Sequence, residues 1–402
     1  MFGHLRVFPH RDAAREDMQA IDVEPAGVDI MAPKTEHHCI KLYDLAAQDA
    51  LIMKQEMLSL GGDAAISRRA LPPCGDPSDV LVMGTIPQLQ ALAEKLTRQY
   101  DRLCGCGETI TSILDNLAAS HTLRLGDGMP LGERTIIMGI LNVTPDSFYD
   151  GSRYAEPDAA VERALDMAEA GADIIDVGGE STRPGAAPVN VEEELARVVP
   201  IIEAVTDAID VPVSIDTSKA TVAGEAITAG AGMVNDVTAL RGDPDMAGIV
   251  AEHDVPVCLM HMQGTPREMQ DDPAYEDVMG EICHFLYERA CYAQEQGVSP
   301  ENIILDPGIG FGKRTGADIE DNCEILARLG ELKSLGFPVM VGASRKAFIG
   351  NLCGCPPEER LEGSLGAAAM AIANGADILR VHDVEATRRM TTVVDRIARK
   401  GR

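Results

Sequence analysis

Polar side chains that could do chemistry follow eight short apolar runs in the C-terminal two thirds of the chain. Each run is rich in Val and Ile, and the polar residues after them carry carboxylate, amide, hydroxyl, imidazole and guanidinium groups. They are Asn142, Asp146, Glu180, Asp216, Asn235, His261, Asp306, Ser344, Arg380 and His382. One Asn or Asp in such a place can simply cap the next helix, but polar residues after every run predict one shared site.

The same segment lacks the motifs of covalent or zinc-dependent catalysis. There is no Gly-x-Ser-x-Gly elbow, no His-Glu-x-x-His helix and no catalytic cysteine motif. The run at 308–313 (GIGFGK) looks like a phosphate loop, but Arg314 follows Lys313 and the spacing is wrong for the Walker A pattern. The chemistry indicated is therefore recognition and stabilisation of charge.

The elements that must position these residues alternate regularly from Gly132 onward. Strand-like runs begin at 135, 173, 211, 233, 255, 302, 338 and 378, and longer helical stretches separate them. Continuous apolar runs are typical of strands buried on both faces, hence of a parallel sheet. Eight such repeats favour a closed (β/α)8 TIM barrel over a doubly wound open sheet, and catalytic residues then lie at the C-terminal strand ends.

Three of the strand-end residues are suited to a flat heterocycle. Asp216 and Asp306 can accept hydrogen bonds from a ring rich in N–H groups, and Asn235 can both donate and accept. We therefore predict a heterocycle at the centre of the barrel.

A second group is suited to a phosphorylated arm at the rim. Lys346, Arg380 and His382 supply positive charge after the last two strands, where barrels often bind phosphate. Asn142 offers a hard oxygen of the kind that suits Mg²⁺ beside such an anion. Arg183 follows the second strand in a loop that we expect to be mobile.

A small α/β domain precedes the barrel, and we expect domains at 1–130 and 131–402. Strands are predicted at 37–45 and within DVLVMGT, and helices at 46–62, at 86–100 and from CGCGE onward. Residues 31–38 (MAPKTEHH) are its most polar stretch and are predicted to form a solvated loop.

Composition excludes several classes of protein. A formal net charge of −29 argues against general affinity for nucleic acid or an anionic membrane. No apolar run has the length of a membrane span or of a secretory signal, so we expect a cytoplasmic protein. The ten cysteines include Cys-Gly-Cys pairs at 104/106 and 353/355, whose spacing fits neither a disulfide scaffold nor a usual zinc site, and free thiols are predicted.

Seven sequence blocks, taken in order, resemble the signature of the dihydropteroate synthase family. They are MGILNVTPDSFY (138–149), DVGGESTRPGA (176–186), SIDT (214–217), NDV (235–237), LDPGIGFGK (305–313), VGASRKAFIG (341–350) and RVHDV (380–384). The resemblance covers about 133–400, and the N-terminal domain lies outside it.

The resemblance implies an enzyme that joins 6-hydroxymethyl-7,8-dihydropterin pyrophosphate to p-aminobenzoate, releases pyrophosphate and is inhibited by sulfonamides. It implies a homodimer that uses Mg²⁺. The implied pterin contacts are Asp216, Asn235, Asp306 and Lys346. The implied pyrophosphate site is Asn142, Arg380 and His382, with Asn142 on the metal. The implied acceptor site is Asp146, Thr182, Arg183 and Phe311. The residues expected to drive the reaction are Asn142, Lys346, Arg380 and His382.

One departure from the family pattern concerns the identity of the acceptor substrate. Ala347 stands where some members carry a serine beside the aminobenzoate carboxylate, so a modified aminobenzoate is an alternative acceptor. A pterin-dependent methyltransferase is the enzymatic alternative, but it has no need for the Ser-Arg-Lys and Arg-x-His cations. A non-enzymatic folate-binding barrel would tolerate loss of Asn142 or His382, and both are present.

Overall fold

The computed structural model describes residues 2–8, 10–72, 74–143, 156–180, 189–265, 268–316 and 319–399. Within them the chain divides into two compact units between Ala119 and Ser120. No helix among these residues is both long and apolar enough to cross a membrane. The ten cysteines are free thiols.

The first unit is a three-stranded antiparallel sheet with helices. Its strands are β1 (His37–Leu45), β2 (Asp63–Ile66) and β3 (Ser78–Thr85), in the order β1-β3-β2. Its helices are α1 (Arg11–Ala20), α2 (Pro25–Met31), α3 (Ala47–Ser59), α4 (Ile86–Leu96) and α5 (Asp101–Ala118). Alternate residues of β1 and β3, including Ile40 and Val82, are buried in one core with the helices, as the two-residue period of a half-covered strand requires.

Most predicted elements of this unit are present, and one prediction is wrong. Residues 31–38 do not form a solvated loop. They contain the end of α2, a 3₁₀ turn over Ala32–Thr35 and the start of β1. Polar residues are tolerated in these elements because Lys34, Thr35 and His37 are exposed.

The second unit is the expected (β/α)8 barrel, and all eight predicted strands are confirmed. After a hairpin of β4 (Thr122–Leu123) and β5 (Met129–Pro130), the barrel strands are β6 (Ile136–Asn142), β7 (Ile174–Gly178), β8 (Val213–Asp216), β9 (Met233–Asp236), β10 (Val257–Met260), β11 (Ile303–Asp306), β12 (Met340–Val341) and β13 (Ile378–Val381). They pair in parallel from β6 to β11 and through β12 and β13 back to β6. A parallel bridge between Leu305 and Val339 closes the ring.

Helices alternate with these strands along the chain. They are α6 (Glu156–Glu169), α7 (Val191–Ala208), α8 (Ala220–Thr228), α9 (Met246–His253), α10 (Val278–Glu295), α11 (Asp321–Ala327), α12 (Ala347–Cys353), α13 (Leu361–Ala373) and α14 (Val384–Ala398). Outward strand residues such as Ile175, Val177 and Ile215 share one core with these helices.

The hairpin before β6 belongs to the barrel unit. Leu123, Leu125 and Leu131 pack in one cluster with inward residues of the strands, among them Ile136 and Met138. The sequence pattern predicts that the barrel domain starts at residue 131. The compact unit starts earlier, at Ser120, because these three leucines are part of its core.

Candidate active site

Inward side chains of the barrel change from apolar to polar along the strands. Ile174, Met233 and Ile304 belong to the apolar inner cluster. Two residues further along the same strands stand Asp176, Asn235 and Asp306, all at most 5% exposed. Because side chains alternate between the two faces of a strand, this second layer faces the barrel interior near the C-terminal strand ends.

Arg380 on β13 connects two carboxylates of this layer. Its Nε donates to Asp176 Oδ2 at 2.6 Å, and its Nη2 donates to Asp216 Oδ2 at 2.6 Å. The two carboxylates raise the pKa of Arg380 although burial opposes this. Burial raises the pKa of Asp216 to about 7, Arg380 opposes that rise and Asp176 adds to it.

Asp306 is held by the turn that follows β11. The Gly308 N–H donates to Asp306 Oδ1 at 2.7 Å, while burial raises the pKa of this carboxyl group. Gly308 has a φ of +70°, and a Cβ there would lie 1.9 Å from the His261 carbonyl oxygen. The turn therefore needs glycine for backbone conformation and for space.

Lys346 and Phe311 come together at the same edge. The Lys346 Nζ lies 4.0 Å from the centre of the Phe311 ring, a cation–π contact. Burial lowers the pKa of Lys346 to about 8, Arg380 lowers it further, and Asp306 and Asp216 oppose the shift. Lys346 immediately precedes α12.

Lys313, at the end of the GIGFGK run, has a structural position. It is 1% exposed, and its Nζ donates to the carbonyls of Gly308 at 3.1 Å and Phe311 at 2.9 Å. It also lies 3.0 Å from His261 Nδ1. Burial lowers the pKa of Lys313 to about 7 and that of His261 well below its usual value. These contacts hold the 308–313 loop in place. They give the lysine of this phosphate-loop-like run a structural role.

His382 lies against the serine that follows β12. Its Nδ1 lies 3.1 Å from Ser344 Oγ, and its backbone N–H donates to the same oxygen at 3.2 Å. Arg345 and Asp383, the next residues of each loop, form two hydrogen bonds of 2.8 and 2.7 Å. Burial, with Arg380 as the second cause, lowers the pKa of His382 to about 4. The sequence predicts a cationic role for His382, and burial opposes the charged form of this imidazole.

Asn142 ends β6 beside Asp216. A Cβ at Gly178, which pairs with Asn142 in the strand register, would lie 3.9 Å from Asn142 Oδ1 and 3.7 Å from Asp216 Oδ2. Glycine at 178 thus leaves space next to two hard oxygens.

The structure brings together Asn142, Asp216, Asn235, Asp306, Phe311, Lys346, Arg380 and His382 at one end of the barrel. Asp146, Thr182 and Arg183 lie outside the described residues. Ala347 is exposed as the first residue of α12.

Sequence reasoning missed Asp176, Lys313 and the Arg345–Asp383 pair as parts of the site. A signal existed for Asp176, because a charged residue inside the apolar run IIDVG must face either a partner or a ligand. Lys313 and Arg345 lie within the quoted motifs, but they also contact His261 and Asp383, which follow other strands.

A closed (β/α)8 barrel with carboxylates, an amide and cations at the C-terminal ends of its strands has the architecture of the TIM-barrel enzymes, whose active sites lie there. A family model described as pterin binding enzyme matches residues 138–382. Dihydropteroate synthase of Synechocystis sp. is 48% identical over 269 residues, which are 67% of this chain and 92% of that protein. A solved structure of Xanthomonas albilineans dihydropteroate synthase with 4-aminobenzoic acid superposes with a TM-score of 0.64 at 47% identity, covering 69% of this chain and 98% of that one. The chain therefore belongs to the pterin binding enzymes, and within them to the dihydropteroate synthases.

The similarity to one relative extends into the N-terminal unit. A Halobacterium salinarum protein named "probable bifunctional folylpolyglutamate synthase/dihydropteroate synthase" is 43% identical over 374 residues. These are 93% of this chain and 44% of that protein. The alignment with the Synechocystis synthase is shorter, at 269 residues.

Proposed function

We propose that the barrel condenses 6-hydroxymethyl-7,8-dihydropterin pyrophosphate with p-aminobenzoate. The C–O bond to pyrophosphate breaks, a C–N bond to the aryl amine forms, and one amine proton is released. The observation that carries this assignment is Arg380, a cation suited to pyrophosphate whose guanidinium donates to the carboxylates of Asp176 and Asp216. One substrate with a heterocycle and an anionic arm matches both.

Recognition of the pterin falls to Asp216, Asn235, Asp306 and Lys346. Asp306 accepts from the pyrimidine N–H groups, a charge-assisted contact, and protonated Lys346 donates to a ring acceptor. Carboxylates close to the ring also stabilise positive charge that develops on the methylene carbon as pyrophosphate leaves.

Departure of pyrophosphate needs positive charge near the leaving group. Among the described residues, this layer holds three carboxyl groups, Asp176, Asp216 and Asp306, and two cations, Lys346 and Arg380. His382 donates a hydrogen bond to the anion. A bound Mg²⁺ would supply further positive charge and make pyrophosphate a better leaving group.

The residues present fit such a metal ion. Mg²⁺ usually takes one or two protein oxygens and completes its shell with water and phosphate. Asn142 Oδ1, beside the space above Gly178, provides one oxygen of this kind. Asn142 would hold the ion.

The acceptor site lies at the rim beside Phe311, with Asp146, Thr182 and Arg183 assigned to it by motif. Phe311 belongs to a small apolar cluster with Val237, Met260, Met262 and Met269, which suits an aromatic ring. An aryl amine is a weak nucleophile, so leaving-group departure is the step that this site assists, and no covalent intermediate with the protein is needed.

A homodimer is part of the proposal. Leu352 of α12, Met370 of α13, and Val393 and Ile397 of α14 are each more than half exposed. A dimer interface on these helices would cover these four side chains. Sedimentation analysis, with Val393→Glu as a dissociating variant, tests this part separately from catalysis.

Incubation of the purified chain with both substrates tests the activity. We expect dihydropteroate, detected by mass spectrometry, only when p-aminobenzoate is present. A pterin-dependent methyltransferase would instead move a methyl group from a methylated reduced folate to a corrinoid. Methyl transfer without dihydropteroate would overturn the proposal.

A further inference from the structure

A buried carboxylate that the motif-based assignment does not use lies at the centre of the site. Asp176 is the middle residue of β7 and is 0% exposed. It stands opposite Ser214 of β8 in the strand register. Both neighbours along the strand, Ile175 and Val177, belong to the apolar core between strands and helices. The side chain of Asp176 therefore points to the opposite face of the strand, towards the polar layer inside the barrel.

Asp176 contacts both halves of the proposed site. Its Oδ2 accepts from Arg380 Nε at 2.6 Å and from Asn235 Nδ2 at 3.1 Å. Arg380 belongs to the pyrophosphate half, and Asn235 belongs to the pterin half. One oxygen atom therefore receives hydrogen bonds from groups that would bind opposite ends of a single substrate.

Asp236, on the outward face of β9, shows how a buried carboxylate with a purely structural role is hydrogen-bonded, and Asp176 differs from it. Asp236 is also 0% exposed, and it accepts from the backbone N–H groups of Thr238 and Leu240 and from the Thr238 hydroxyl. Asp176 accepts no backbone N–H bond from the described residues. Its only partners among them are Arg380 and Asn235, and its Oδ1 is buried without a partner in that part of the chain.

We propose that Asp176 is a positioning residue, which fixes Arg380 and Asn235 relative to each other so that the pyrophosphate and pterin ends of the substrate are aligned together. This inference rests on the proposed synthase function. A buried ion pair contributes little to stability compared with apolar packing. The pair of Asp176 and Arg380 instead orients the Arg380 guanidinium, which has two carboxylate partners among the described residues.

Steady-state kinetics of Asp176→Asn in the full chain test the proposal. Asn keeps the size of the side chain but loses the charge that orients Arg380, and it can present an N–H to Asn235. We expect kcat/KM for the pterin pyrophosphate to fall about 100-fold, in the range for losing one partner of a buried charge pair. The KM for p-aminobenzoate should change less than about threefold, because neither partner of Asp176 belongs to the acceptor site.

A double-mutant cycle distinguishes positioning from a general structural effect. If Asp176 acts through Arg380, adding Asp176→Asn to Arg380→Ala should cost less than about threefold further. Equal losses in both backgrounds would overturn the proposal. Ser214→Ala, at the neighbouring buried position, is the matched control and should retain wild-type constants.

Two further comparisons keep the test decisive. Should Asp176→Asn fail to fold, Asp176→Glu replaces it, since it keeps the charge but displaces it by one methylene. Wild-type kinetics in a folded Asp176→Glu variant would contradict a positioning role. Wild-type turnover is measured first, so that an inactive wild-type chain refutes the synthase function and an unaffected variant refutes only the role of Asp176.

Discussion

At the scale of single residues, the charged groups of the site already contact one another or an aromatic ring before a ligand binds. Arg380 is shared between Asp176 and Asp216, and burial lowers the pKa of His382 to about 4. Lys346 has the Phe311 ring as its close contact. Ligand binding therefore exchanges existing contacts for new ones, and substitutions should affect the two ends of the substrate differently.

Asp306→Asn should weaken binding of the pterin. The substitution keeps an oxygen for the Gly308 N–H but replaces the acceptor that faces the pterin with a donor, leaving polar groups unpaired. The expected loss is about 1–3 kcal/mol, measured by calorimetry with a pterin that lacks pyrophosphate. An unchanged affinity would mean that Asp306 does not face the heterocycle.

Lys346 should set the alkaline limit of activity. Its pKa is lowered to about 8, so the protonated form that donates to the pterin is lost as pH rises through that value. We expect kcat/KM for the pterin pyrophosphate to decline above about pH 8, because this ratio follows the ionisation of the free enzyme. Lys346→Arg, whose guanidinium stays charged, should remove the decline. The same alkaline limb in both proteins would assign it to another group.

At the scale of elements, the barrel strands were predictable and their cross-strand partners were not. Eight apolar runs mark eight buried strands because a parallel sheet covered on both faces selects them. Asp176 and Arg380 are separated by 204 residues, and Lys313 and His261 by 52. A single sequence contains no signal for such pairs. The lowered pKa of His382 was not predictable for the same reason, since it depends on burial and on Arg380.

Gly308→Ala should displace the loop that carries Phe311. The new Cβ would lie 1.9 Å from the His261 carbonyl oxygen at a φ of +70°, so the loop must move. We expect a loss of stability of roughly 1–3 kcal/mol and a raised KM for the pterin pyrophosphate. Gly316→Ala, whose Cβ would lie 3.9 Å from its nearest neighbour, is the control. Indistinguishable melting curves and KM values for the two variants would contradict the role of this turn.

At the scale of the whole molecule, two units with separate cores share one chain. The N-terminal unit has its own buried core, including Met53, Leu89 and Ile110. The barrel unit contains every site residue that the structure describes. Catalysis is therefore expected to reside in the barrel unit.

A chain that begins at Ser120 should fold and retain synthase activity. A chain that begins at Gly132 loses Leu123, Leu125 and Leu131 from the inner cluster, and each buried leucine contributes on the order of 2–5 kcal/mol. The longer chain should melt cooperatively and turn over, and the shorter one should be unstable or insoluble. Equal stability would show that the hairpin does not complete the barrel core, while a folded, inactive longer chain would place N-terminal residues in catalysis.

The most direct test of the central claim is pyrophosphate release by the purified full chain. With 6-hydroxymethyl-7,8-dihydropterin pyrophosphate, p-aminobenzoate and Mg²⁺, we predict one pyrophosphate released for each dihydropteroate formed. Release should stop when EDTA is added and resume with excess Mg²⁺. Pyrophosphate release without dihydropteroate, or condensation that persists after complete chelation, would contradict a site built to assist metal-aided departure of the leaving group.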